Sequence, residues 1–382
     1  MSARAFRPEA ARTIGGRDAQ LALALLLAMG LGLAFLYSAS QGFAGRLGRA
    51  AGYFATRQAA FMGLGALMAG ALAFLRPEAL RPAVKWIILG GLAAQFLPFL
   101  PLIGMEKNGA RRWISLFGQS VQPSEFLKPA LILYLAHILA RKEEEGKSAS
   151  LLSGFLPPLL VTGAAVLTVF AQNDLSTAVI LGLAALSVFW AAGTPLAFLG
   201  GLAALGLPLA ALSVLTSEFR LRRIITFLFP DFDSHGISYQ MSASIRAVRS
   251  GGLLGKGIGL GTYKVSSIPE VQADFIFAAI AEEGGLVYVA LVSGLLAFIA
   301  CRSYRVSLRA GSAYRRYAAY GLASLFTLQC LVNLAVVAGA IPATGVILPF
   351  FSSGGSALLS AMIQAGLLLG LSRTDGQEAP RG

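Results

Sequence analysis

The sequence predicts an all-α integral membrane protein with about ten transmembrane helices and a large extracytoplasmic loop between spans seven and eight. Three observations carry that class. The 382-residue chain is 56% hydrophobic and only 13% charged, with a mean hydropathy of +0.70, whereas a soluble domain carries about a quarter charged residues. The apolar residues gather in runs of roughly twenty, the length that crosses a bilayer as a helix. Basic residues flank those runs, so the net charge of +13 is assigned to anionic lipid rather than to nucleic acid, which is not an expected partner.

Ten spans are placed at 19–40, 58–75, 83–103, 124–140, 151–171, 176–193, 195–215, 275–301, 316–340 and 354–372. The first follows Arg4, Arg7, Arg12 and Arg17 and ends in Ser38-Ala39-Ser40, as a signal peptide would. Its length and the many spans behind it mark it instead as a first transmembrane helix. If the spans alternate, those arginines share one side with Arg76, Arg81, Lys85, Arg302, Arg305, Arg309, Arg315 and Arg316. The positive-inside rule assigns that side, and both termini, to the cytoplasm of a bacterial inner membrane. Arg46, Arg49 and Arg57 run against the rule. Residues 1–18 and 374–382 are then cytoplasmic tails around a membrane domain at 19–373, and 141–149 is a solvated cytoplasmic turn. Cys301 and Cys330 lie in or beside apolar runs and imply no disulfide framework. His137 and His235 stand apart from any cysteine cluster, so zinc is not expected. No internal repeat is visible, which weighs against a transporter.

Three polar features fall on the opposite face. In 104–128, Asn108-Gly109 is a turn signal, and Arg111, Arg112 and Trp113 with Ile114, Leu116 and Phe117 suit a segment lying flat at the interface. Pro123 starts a helix with Glu125 in its first turn. Glu125 and Lys128 share a helical face, as a structural ion pair or as a substrate-facing one. Asp174, in the polar break Gln172-Asn173-Asp174, is a helix cap or a functional charge at membrane depth. The long loop, 216–274, carries Arg220, Arg222, Arg223, Arg246, Arg249, Lys256 and Lys264, cations suited to gripping phosphates.

The chemistry is expected in the stretch Gly251 to Gly285, GGLLGKGIGLGTYKVSSIPEVQADFIFAAIAEEGG. Alternating Gly255, Gly257, Gly259 and Gly261 permit close backbone approach or flexibility. Glu270 and Asp274 precede an apolar helix that carries Glu282 and Glu283. Asp274 and Glu282 lie about 12 Å apart along a helix axis, too far to share one proton. Near the C-terminus, 342–356 is a kinked small-residue linker containing Ser352, which must be buried in protein or line a wet cavity.

The motifs NGARRWISLFGQSVQPSEFLK at 108–128, QNDLSTA at 172–178, GGLLGKGIGLGTYK at 251–264, IPEVQADFIFAAIAEEGG at 268–285 and IPATGVILPFFSSGGSALL at 341–359 occur in this order. Together they resemble the SEDS family (shape, elongation, division and sporulation), which includes FtsW, RodA and SpoVE, over about 19–373. The NGARRW form leans towards the FtsW type. The resemblance implies a peptidoglycan glycosyltransferase that polymerises lipid II on the outer leaflet. It implies a class B penicillin-binding protein as partner, among other divisome or elongasome membrane proteins, and a divalent cation, Mg²⁺ or Mn²⁺. The family's essential acid falls on Asp274, and its Glu and Lys on Glu125 and Lys128. The chain departs at Asn173 and Ser176, where Pro and Gly are usual, at Ser353, where Tyr is usual, and at Arg249, where a small residue is common.

An inverting transfer from an α-linked diphosphate needs a base for the acceptor hydroxyl and positive charge for the leaving group. Asp274 is the expected base, with metal ligation as the alternative role. Glu125, Lys128, Arg111, Arg246, Arg249, Lys256, Lys264, Glu270, Asp174 and Ser352 are the expected substrate-binding residues. A helix N-terminus and nearby cations would lower the Asp274 pKa, and desolvation would raise it. A lipid II flippase and a non-enzymatic scaffold for a penicillin-binding protein are the competing functions.

Overall fold

The computed structural model describes residues 13–14, 16–107, 109–116, 118–146, 155–229, 237–263, 268 and 270–373. Lys264, part of the expected turn at 141–149 and most of both tails lie outside the described residues. A two-stranded hairpin, β1 (Thr13–Ile14) with β2 (Arg17–Asp18), leads into the helices. These are α1 (Ala19–Arg46), α2 (Tyr53–Phe74), α3 (Val84–Ala94), α4 (Pro123–Glu144), α5 (Leu156–Ala171) and α6 (Leu175–Ala191). They continue with α7 (Leu196–Leu215), α8 (Glu218–Leu228), α9 (Ile237–Gly251), α10 (Ile276–Leu308), α11 (Ala313–Val337) and α12 (Gly355–Leu371). Each of the ten expected spans falls on one of these helices. Among the described residues, α1, α2, α7, α10 and α11 are long and apolar enough to cross a membrane, while α3, α5, α6 and α12 are apolar but shorter. The molecule is an all-α membrane protein.

Three local expectations are corrected. The third span stops at Ala94, passes through a short 3-10 turn at Leu97–Phe99 and ends in a sheet. That sheet replaces the flat interfacial segment: β3 (Gly104–Lys107), β4 (Ala110–Leu116) and β5 (Gln119–Val121) pair in sequence order, antiparallel. Lys107 pairs with Ala110, and Gly109 between the strands takes a left-handed φ of 71°, as a tight hairpin connection requires; Asn108 lies outside the described residues. The long loop holds two helices, α8 and α9, whose arginines alternate with apolar residues at helical spacing.

The helix starts follow local chemistry. Asp18 caps α1 through the Leu21 N–H at 2.9 Å, Pro123 opens α4 at its first position, and Ser312 caps α11 through the Arg315 N–H. Helix α4 is the central rod: Leu127, Leu131 and Leu135 are fully buried where it packs against α11, α6, α12 and α3. Helix α12 lies along α2, and α10 packs against α11, α9 and α1. In α7 only Ser213 is buried, as expected of a helix facing lipid.

Helix α10 is broken at Gly285, whose φ of 60° and ψ of −157° leave the helical region. A broken helix inside a membrane must find partners for its freed backbone groups. Here the glycine-rich loop supplies them. Lys256 N–H and Gly257 N–H donate to the Glu282 and Glu283 carbonyls at 3.0 and 2.9 Å, and Leu286 N–H donates to the Gly252 carbonyl at 2.9 Å. Close approach is therefore the use of these glycines: a Cβ on Gly255 would stand 2.1 Å from the Glu283 carbonyl oxygen.

Charged residues collect at two opposite ends. At one end Asp18 pairs with buried Arg302, Arg315 with Glu78 at 2.6 Å, Arg81 with Glu144 at 3.2 Å and Arg316 with Glu143 at 3.0 Å. These are loops that the alternation of spans puts on one side. The other end holds the sheet, α8, the start of α10 and the linker after α11.

Candidate functional site

Strand β4 sets the first part of the site. Successive side chains of a strand face opposite ways, so Arg111 and Arg112 diverge. Arg111 is exposed and pairs with Glu106 at 2.9 Å. Arg112 turns to the bundle, lies over the Trp113 ring at 4.2 Å and reaches buried Asp174 at 3.2 Å. Asp174 also caps α6 through the Thr177 N–H at 3.2 Å and accepts from Gln122 Nε2 at 2.8 Å. The capping reading of Asp174 is seen in the structure, and the same carboxylate also holds the Arg112 guanidinium.

Helix α8 brings a second guanidinium. Arg223 lies over Phe219 and donates through Nη1 to the Ala343 carbonyl at 3.3 Å. Burial lowers its pKa, as does Arg112, while Asp274 and Asp174 oppose the shift; an arginine stays charged throughout. Arg112 Nε, Arg223 Nε and Thr344 Oγ1 are buried without a hydrogen-bond partner. Unsatisfied buried polar groups cost about 1–3 kcal/mol each, so three in one place indicate a site built for something else to complete.

Asp274 precedes α10. The Asn333 side chain holds its backbone carbonyl at 2.9 Å and the Val346 carbonyl at 2.8 Å, tying the acid to the linker. A Cβ placed on Gly345 would meet Asp274 Oδ2 at 3.6 Å. Desolvation raises the Asp274 pKa above the ordinary carboxylate range. Arg112 opposes this, Glu270 adds to it and Arg223 opposes it. Of the two opposed expectations, desolvation wins. Glu270 itself is exposed, with a left-handed φ of 49°.

The other expected residues lie elsewhere or are already engaged. Glu125 and Lys128 close on each other at 2.8 Å, both buried, with Ser360 Oγ donating to the Glu125 carbonyl at 2.6 Å. Lys256 is bound to Glu282 at 2.7 Å, and the same Glu282 oxygen accepts from Thr262 N–H and Tyr263 N–H at 2.8 and 3.1 Å. Glu283 accepts from Ser38 Oγ at 2.8 Å. Ser352 turns back to the Leu348 N–H at 2.9 Å. Arg246 and Arg249 are exposed on α9. The site thus joins Asp274, Glu270 and Asp174 of the expected set and adds Arg112, Arg223 and Thr344. Strand alternation would have separated Arg112 from Arg111. Nothing in the sequence would have singled out Arg223 among the loop arginines. A small cavity lined by Leu25, Ile299, Phe326, Phe350, Gln329 and Gln364 shares none of these residues.

Comparison with known proteins gives the same assignment. Over 351 residues the chain is 36% identical to the "Probable peptidoglycan glycosyltransferase FtsW" of Geobacter sulfurreducens, covering 91% of this chain and 94% of that one. It is 34% identical over 356 residues to the stage V sporulation protein E of Bacillus subtilis, covering 93% and 97%. A chain from a study of how a peptidoglycan synthase complex coordinates polymerization and crosslinking superposes with a TM-score of 0.77 at 27% identity, covering 95% of this chain and 99% of that one. The Thermus thermophilus rod shape determining protein RodA superposes with a TM-score of 0.70 at 27% identity, covering 95% and 98%. The family model for FtsW, RodA and SpoVE, described as cell cycle protein, matches residues 19–377, and the chain belongs to that family.

Proposed function

We propose that this chain is a peptidoglycan glycosyltransferase that polymerises lipid II, with Asp274 as the general base. The observation that carries the reading is the placement of one half-buried carboxyl, Asp274, in the field of two guanidinium groups with unpaired donors. The acceptor sugar hydroxyl gives its proton to the Asp274 carboxylate as its oxygen bonds to the donor anomeric carbon. The bond from that carbon to the diphosphate breaks on the opposite face, so the centre inverts. Negative charge grows on the departing diphosphate, and Arg112 and Arg223 offset it from fixed positions. A raised pKa makes Asp274 a better base than an exposed carboxylate.

Among the described residues no three His, Cys, Asp or Glu side chains form a metal site. Mg²⁺ is commonly held by one or two carboxylates together with substrate phosphates, and Asp274 with Glu270 would fit that pattern. Bound there, a cation would supply further charge for the diphosphate. Glu125 with Lys128, and Lys256 with Glu282, would shape the site as closed pairs. Arg111, Arg246, Arg249 and Lys264 would act on lipid headgroups, sugars or a partner rather than on the reacting atoms, and Ser352, buried and bonded to the Leu348 N–H, would brace the linker.

In this reading all ten helices α1–α7 and α10–α12 span the inner membrane. The end with Asp18, Glu78 and Arg302 faces the cytoplasm with both termini, and Asp274 faces outward. A class B penicillin-binding protein would crosslink the product, within the divisome if the FtsW-type motif decides the setting. The test is polymerisation of purified lipid II with Mg²⁺ or Mn²⁺, comparing wild type with Asp274→Ala, each co-purified with its class B partner. Polymer from wild type alone supports the reading; equal polymer from both removes Asp274 from the chemistry.

A further inference from the structure

The glycine-rich loop carries four large apolar side chains that the bundle does not cover. Leu253, Leu254, Ile258 and Leu260 are 70, 83, 66 and 67% exposed. The loop is bonded at Gly252 and Leu253 to Leu286 and Val287 of α10, whose side chains are also exposed.

The depth of that face follows from two independent measures. Along α1, Ala19 to Ser38 is about 28 Å at 1.5 Å per residue, and Ser38 bonds Glu283. Along α10, Gly285 to Arg302 is about 26 Å, and Arg302 bonds Asp18, the cap of α1. A hydrocarbon core is about 30 Å thick. With Asp18 and Arg302 at one edge, Glu283 lies at the other. The loop is bonded to α10 at that level and just inside it, through Gly257 N–H to Glu283, Leu286 N–H to Gly252 and Val287 N–H to Leu253.

Irregular backbone survives at such a depth only when its polar groups are satisfied. The N–H and carbonyl of Gly252, the Leu253 carbonyl and the N–H groups of Gly255, Lys256 and Gly257 are engaged with α9 or α10, and the Gly257 carbonyl accepts from the Leu260 N–H within the loop. Lys256 has its charge paired by Glu282. Arg246 and Arg249, exposed on α9 two turns and one turn before the loop, suit phosphodiester headgroups.

We infer that the 253–260 loop is a fixed membrane wedge, its occupant being the acyl chains of the leaflet next to the Asp274 end. Arg246 and Arg249 rest at the headgroup layer above it. The inference rests on the membrane-spanning arrangement proposed above, but not on the glycosyl transfer or on which side is outside.

The test places an environment-sensitive dye at Leu254→Cys, and separately at Ile258→Cys, in a Cys301→Ser background where the remaining Cys330 is buried. The full chain is placed in phosphatidylcholine and phosphatidylglycerol nanodiscs without partner. Quenching is read with aqueous iodide and with phosphatidylcholine spin-labelled high on its acyl chain. The expected result is blue-shifted emission, strong quenching by the spin-labelled lipid and iodide quenching several-fold below that of the free dye adduct. Iodide quenching like that of the free adduct would put the loop in water and overturn the inference. Shielding from both quenchers would put protein over the face, a second copy of this chain, and would overturn it equally. Both leaflets carry the spin label and no lipid II is present, so neither orientation nor catalysis enters the outcome.

Discussion

Arg112 gives one end of its guanidinium to Asp174 at 3.2 Å and leaves its Nε buried with no partner. Asp174 therefore aims a cation at the Asp274 side of the site as well as capping α6. Asp174→Asn should keep most of the cap, because asparagine caps as well as aspartate. It removes the charge that holds Arg112. Polymerisation should fall ~10- to 100-fold, the scale of losing a preorganised electrostatic group, with little change in unfolding temperature. Asp174→Ala should lose the activity and about 1 kcal/mol of stability besides. Lipid II turnover and thermal unfolding of the two variants, measured side by side, separate the roles.

The raised pKa of Asp274 makes two opposite demands on the protein. A carboxyl whose pKa is higher in the fold than in the unfolded chain binds its proton more tightly when folded. Its contribution to stability is complete below the unfolded value and is lost as pH rises through the folded value. At neutral pH the ionised Asp274 is thus a cost to the fold, kept for function. Asp274→Asn should abolish polymerisation while raising the unfolding temperature by a few degrees at neutral pH, an advantage that shrinks as the pH is lowered. An equal or lower unfolding temperature would contradict the desolvated carboxyl.

The same carboxyl should set the acid limb of the pH profile, since a base must be ionised to act. Glu270 raises the Asp274 pKa and Arg223 lowers it. Glu270→Gln should therefore shift the limb to lower pH and Arg223→Gln to higher pH. Initial polymerisation rates across the acid range check both directions, and a shift of the same sign in both variants would rule out Asp274 as the titrating group.

Gly255 sits at a φ of 78° with Glu283 against its backbone, whereas Gly259 has a φ of 85° and open space around it. Alanine at a left-handed position costs roughly 1–2 kcal/mol. Gly259→Ala should show about that loss. Gly255→Ala adds a carbonyl collision and should lower the unfolding temperature clearly further. Equal losses would mean that the loop can lift off the Gly285 break.

Hydropathy alone located the helices α1–α7 and α10–α12, because the bilayer forces a helix wherever a long apolar run occurs. It failed where the chain leaves hydrocarbon. At Gly104 the backbone pairs as a sheet, and α8 and α9 form inside a segment whose arginines masked their amphipathic spacing. Asp274 was legible because an acid at the mouth of an apolar helix is rare. Its cations were not, because Arg112 is selected by strand register and Arg223 by where α8 packs. Both are long-range facts. Lys256 looked like a phosphate ligand, but its partner Glu282 lies 26 residues away, beyond any local pattern.

The turn before α6 carries Asn173 where the resemblance to the family implies a proline, and the backbone at this position would not accept one. Asn173 has a φ of 61°, a left-handed value that asparagine tolerates and that a proline ring, held near −65°, cannot adopt. Its N–H donates to the Phe170 carbonyl at 3.0 Å, its Nδ2 donates to the Gly109 carbonyl at 3.0 Å, and its Oδ1 accepts from Arg220 at 3.1 Å. The side chain thus joins the β3–β4 turn, α6 and α8 around the cations of the site. Asn173→Pro should cost ~3 kcal/mol or more. Asn173→Gly keeps the φ and the N–H and loses only the two exposed side-chain bonds, about 1 kcal/mol together. A large gap between the two unfolding temperatures is the expected outcome. If proline were tolerated, the turn would have to reverse its backbone, and Asp174 would then lose its present aim at Arg112, which a parallel fall in polymerisation would reveal.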